Sequence, residues 1–94
     1  MKSSLNLDNE NIRDSEEIEI FPIPTNGKLN IVMNGKNNYI KSLKIYNLFG
    51  KAVFNRSKLN GKSLSLDLSF LTKGIYLLEI YSNENVYLNK IVKN

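Results

Sequence analysis

A chain of 94 residues with 41% hydrophobic and 23% charged side chains has room for one small domain and not for two separate cores. Without cysteine or histidine it lacks a disulfide framework, a thiolate or imidazole metal site and the usual nucleophile-and-base pair, which removes most enzyme classes. The formal charge of +4 is unevenly spread: residues 1–20 hold two basic against six acidic side chains, a net −4, leaving +8 on the other 74.

Residues 1–17 are polar and acidic, with Leu5, Leu7 and Ile12 their only large apolar side chains beyond Met1. That is too little to bury and order the segment, so it reads as a flexible acidic linker ahead of a domain over 18–94. No stretch approaches the roughly 18 uninterrupted apolar residues of a membrane span, and no apolar run follows Lys2. The chain is therefore expected neither to insert in a membrane nor to export itself, and to be a piece of a longer precursor or a short reading frame with an orphan domain.

From Ile18 onward the texture is short apolar alternation broken by turn residues, the period-2 signal of half-buried strands. A strand over 18–21 is stopped by Pro22-Ile23-Pro24, because each proline lacks a ladder donor. Asn26-Gly27 turns the chain into a second strand over 29–33, closed by Asn34-Gly35. The third runs over 39–48, with Leu43, Ile45 and Leu48 expected inward, and turns at Phe49-Gly50 into a partner over 51–55. Beyond Asn60-Gly61, Leu64, Leu66 and Leu68 alternate with Ser63, Ser65, Asp67 and Ser69, which makes one core face and one wet face. Phe70 and Leu71 are read as buried anchors of the connection to 75–81, a strand apolar on both faces and hence central in its sheet. After the polar turn 82–85, a last strand fills 86–92.

Seven short antiparallel strands bury their inner faces by packing sheet on sheet, so the expected fold is all-β, a small immunoglobulin-like antiparallel β-sandwich. A barrel of five or six strands is the alternative. A domain of this size is expected to be stable by about 5 kcal/mol.

Carboxylates are sparse in the folded part, where Asp67 and Glu79 form an acid and base pair only if their strands adjoin with both side chains on one face. Phosphate loops, nucleophile elbows and calcium-binding runs are absent from the sequence. The expectation is a non-enzyme with no catalytic, metal or cofactor residues. The basic body and its five tyrosines admit a nucleic-acid platform, but Tyr76 reads as core and Arg56 is the only arginine after residue 17. No nucleic-acid partner is expected, and an adhesion or carbohydrate-binding module stands as the alternative function.

Four blocks in order resemble a known family. Pro22-Ile23-Pro24-Thr25-Asn26-Gly27 is similar to its opening Pro-x-Pro-x-x-Gly, with Ile23 where asparagine is usual. Ile45-Tyr46-Asn47-Leu48-Phe49-Gly50-Lys51-Ala52-Val53 resembles its central hairpin, and Lys73-Gly74-Ile75-Tyr76 its Lys-Gly-x-Tyr strand. Lys90-Ile91-Val92-Lys93 resembles its basic-apolar-apolar-basic ending. The family is the type A C-terminal sorting domain of the type IX (Por) secretion system of Bacteroidota.

The resemblance implies an address rather than a catalyst. It implies a cargo on the N-terminal side, passage through periplasm and outer membrane to the medium or cell surface, and recognition by translocon and shuttle proteins. It also implies removal by a sortase, for which the acidic stretch before Ile18 is the accessible segment. Pro22, Pro24, Gly27, Gly74, Tyr76, Lys90, Ile91, Val92 and Lys93 are the recognition candidates. The final strand is expected to present Lys90 and Lys93 at an open end, where a receptor adds a strand and pairs acidic groups with them.

Overall fold

A computed structural model describes residues 17–94; the acidic stretch 1–16 of the expected linker lies outside the described residues. Among the described residues there are seven strands: β1 (Ile18–Phe21), β2 (Lys28–Met33), β3 (Ile40–Tyr46), β4 (Ala52–Arg56), β5 (Ser63–Asp67), β6 (Gly74–Ser82) and β7 (Val86–Lys93). They form two antiparallel sheets, one ordered β1-β2-β5 and the other β4-β3-β6-β7. The all-β sandwich of the sequence reading is the observed architecture.

The sheets close on a core that period 2 selects residue by residue. Leu29, Ile31 and Met33 of β2 and Leu66 of β5 face Leu43 and Ile45 of β3, Leu78 and Ile80 of β6 and Ile91 of β7, all buried. β6 pairs with β3 on one side and β7 on the other, the central position expected of it, with Tyr76, Leu78 and Ile80 buried and Ile75 and Leu77 exposed on the outer face.

Two expectations are corrected. The third strand ends at Tyr46, and Leu48 is exposed rather than inward. The cause is local: the β3–β4 register shifts at Ile45/Tyr46, and Asn47 Oδ1 accepts from the amides of Phe49 and Lys51 at 2.9 and 3.0 Å. A side chain that satisfies two turn amides fixes 47–50 as a turn and lifts Leu48 off the strand. Of the two expected anchors after β5, Leu71 is buried but Phe70 is exposed, tilted against Phe54 with ring centroids 5.8 Å apart.

Asp67 and Glu79 lie in different sheets, so they form no acid and base pair. Asp67 Oδ1 accepts from the hydroxyl and the amide of Ser69, which holds its carboxyl below the usual range, and Glu79 accepts from the Tyr46 hydroxyl at 3.0 Å. Among the described residues no group of three or more Asp or Glu gathers to hold a metal.

Candidate recognition surface

The nine candidates gather at one end of the sandwich, where the 22–27 loop, the start of β6 and the end of β7 meet. Gly74 stands opposite Lys93 and Tyr76 opposite Ile91 in the β6–β7 register. The peptide bonds Phe21-Pro22 and Ile23-Pro24 are both cis, and both prolines are exposed.

Thr25 ties this loop to the tail. Its amide donates to Val92 O at 2.8 Å, and its carbonyl accepts from the Asn94 amide at 2.9 Å, a parallel bridge across the outer side of β7. The side chain is fully buried: Oγ1 accepts from the Gly27 amide at 2.9 Å and donates to Lys28 O. Asn94 Nδ2 donates to Asn26 Oδ1 at 2.9 Å, a second tie between the same segments. Gly27 has φ 154°, a conformation that side chains rarely adopt, and a Cβ there would sit 3.0 Å from Ser69 Oγ, so a larger residue is strained and needs Ser69 to shift. Thr25 and Asn94 escape sequence reasoning because their pairing is non-local, although threonine two residues before glycine is a local signal for a hydroxyl-bonded turn.

The expected presentation of both terminal lysines is corrected. Lys90 and Val92 point outward, whereas Ile91 is 0% and Lys93 8% exposed. Strand alternation puts Ile91 and Lys93 on the inner face, and Thr25 covers the strand edge at Lys93 while Gly74 opposite leaves room for its stem. The Lys93 ammonium donates to Asn94 O at 3.1 Å. Tyr76 is likewise a core residue, its hydroxyl donating to Thr72 O at 2.7 Å.

Among the described residues, no strand pairs with the edge of β7 ahead of the Thr25 clamp. Antiparallel alternation, with Val92 O and Asn94 N turned to Thr25, sends the N–H and C=O groups of Val86, Leu88 and Lys90 outward as well. Val86 and Leu88 are 55% and 58% exposed beside them. The other sheet edges are β1 with 4 residues running into Pro22, β4 with 5 and a register shift beside it, and β5 with 5, against 8 in β7. Among the described residues β7 is thus the longest edge and the one with fewest of the usual protections.

Residues 19–94 match the family model of the secretion system C-terminal sorting domain. The chain belongs to this family. The sorting domain also shows similarity to beta-agarase D of Zobellia galactanivorans, 33% identical over 66 residues, which is 70% of this chain and 12% of that protein. The chain therefore spans about an eighth of the length of that relative. Family membership makes this a C-terminal secretion sorting signal, of the type IX kind that the four blocks resemble, and implies export from the cell.

At the opposite end of the sandwich, the start of the sorting domain is fixed to the body. The Asn34 amide donates to Glu17 O at 2.7 Å, and the buried Tyr87 hydroxyl donates to Glu17 Oε1 at 2.6 Å. Burial, then this bond to a carboxylate, raises the Tyr87 pKa above its ordinary value. A neutral Tyr87 thus stabilises the fold fully below the unfolded pKa of about 10, and that contribution disappears as pH rises through the folded pKa. Tyr46 and Tyr81, both raised by hydrogen bonds to Glu79, act in the same direction. Urea melts at increasing alkaline pH are expected to show stability level to about pH 9 and falling beyond it, with a shallower fall in Tyr87→Phe. An equal fall in that variant would remove Tyr87 from the account.

Proposed function

We propose that the sorting domain carries a cargo joined to its N-terminal side through the periplasm and across the outer membrane by the type IX route, as an address and not a catalyst. A translocon or shuttle protein reads the folded body by adding a strand to the open edge of β7, with an acidic group set against Lys90. The family membership of residues 19–94 carries this reading, and the long open edge supports the mode of recognition. Sortase cleavage falls ahead of Glu17, because the carbonyl and carboxylate of that residue are bonded to the body and hold it out of a protease cleft. The cargo is then released to the medium or held at the cell surface.

The test is a reporter carrying a separate N-terminal signal peptide, expressed in a bacterium with a working type IX system. Followed by the full 94 residues it is expected outside the cell, and followed by residues 1–17 alone it is expected to stay in the periplasm. Equal export of both would overturn the reading, and so would retention of both when a native cargo of that strain is exported alongside.

A further inference from the structure

The two most exposed large apolar side chains among the described residues, Phe49 at 95% and Leu48 at 72%, sit side by side on the 47–50 turn. Nothing about that turn is loose. Besides the two amides held by Asn47 Oδ1, the Asn47 amide donates to Lys51 O at 2.9 Å and the Gly50 amide to Asn47 O at 3.0 Å. Gly50, at φ 82°, supplies the left-handed residue that closes it. Large apolar groups held in water by a preorganised backbone are the profile of an interface anchor, since little ordering remains to oppose binding.

Grooves lie on both sides of the turn. One, of about 660 Å³, runs between the turn and Phe70, with Val53, Leu71 and Tyr76 in its lining. The other, of about 560 Å³, is bounded by Tyr46 and Leu77, and both share Leu48 and Ile75. Among the described residues the charged groups lining them are Lys51, Lys73 and Lys90, and no carboxylate lines either groove. Phe70 is held by its contact with Phe54, over whose ring the Arg56 guanidinium sits at 5.5 Å from the centroid.

We propose that the 47–50 turn and its two grooves are a docking site for a short extended segment of a partner protein, with bulky apolar residues between flanking Asp or Glu. Three cations around an apolar floor with no anion set the charge of the occupant. Two concavities astride a protruding turn set its form, because an extended polypeptide can drop successive side chains into both. The site shares Lys90 with the open β7 edge but none of 86–89, and it goes beyond the sorting reading.

The experiment is an NMR titration of the isotope-labelled 94-residue chain with two synthetic peptides sharing a Leu/Phe core, one flanked by Asp and Glu and one by Lys, and with phosphatidylglycerol vesicles as a third arm. The acidic peptide is expected to move the amides of residues 47–51 and 70–75 and to leave 86–89 in place. Affinity is expected to fall about tenfold in Leu48→Ser/Phe49→Ser and several-fold in Lys73→Glu. None of these three side chains belongs to the core, so their thermal transitions should match the wild type and separate lost binding from lost folding. Equal binding of the Lys-flanked peptide, vesicle binding without peptide binding, or no shifts at these positions would each overturn the proposal. Because no export step is involved, failure here leaves the sorting reading standing, and loss of sorting leaves this site untouched.

Discussion

Replacing Ile91 by alanine is expected to lower the unfolding free energy by about 3 kcal/mol, most of the stability a domain of this size possesses. Ile91 is 0% exposed, stands opposite Tyr76 in the β6–β7 register and belongs to the core that joins the two sheets. Its loss removes both the transfer term and the contacts of the neighbours left around the cavity. Starting from about 5 kcal/mol, the variant would retain about 2, a midpoint lowered by about 20 °C for a domain this small. Thermal unfolding followed by circular dichroism measures it. A midpoint within a few degrees of wild type would mean that the tail is not a core element. The result bears on any deletion of the last five residues: such a deletion removes Ile91, the Thr25 bridge and the Asn94–Asn26 bond together, so lost export in it reports unfolding as well as recognition.

Much of this architecture is legible before any coordinate. Leu66 and Leu68 are buried and Ser65, Asp67 and Ser69 exposed, as strict alternation demands, and the doubly apolar 75–81 run lands between two strands. Local rules fail where a non-local partner decides. Lys93 shares the parity of Ile91, but its polarity argues for water, and only the 22–27 loop lying against it makes burial of its stem possible. Leu48 looks like one more inward apolar residue until the two bonds accepted by Asn47 Oδ1 end the strand ahead of it. The family blocks converge on one end of the molecule, but several of their residues act as structure there: Gly27 through its backbone conformation, Tyr76 and Ile91 through the core. The open edge is invisible in single residues, because it depends on the order of strands in the sheet and on where the Thr25 clamp stops.

That edge makes a sharp prediction at Leu88. In Leu88→Pro the domain is expected to stay folded, while export of the fused reporter falls to background. The Leu88 N–H points away from β6, and the side chain is 58% exposed, so proline removes no ladder bond and little packing. It does remove one outward donor and sets a ring where an added strand must approach to hydrogen-bonding distance. Asn89 has the opposite geometry: alternation turns its N–H toward Leu78 of β6, so Asn89→Pro breaks the ladder and is expected to cost about 3 kcal/mol and the fold. Thermal midpoint and export, measured on both variants, separate the two roles of the strand. If Leu88→Pro keeps its midpoint and is exported like wild type, strand addition at β7 is not how the domain is read, and recognition must rest on side chains. If it keeps its midpoint and stays in the periplasm, backbone pairing along 86–90 is the recognition event, and a charge-preserving exchange such as Lys90→Arg should leave export unchanged.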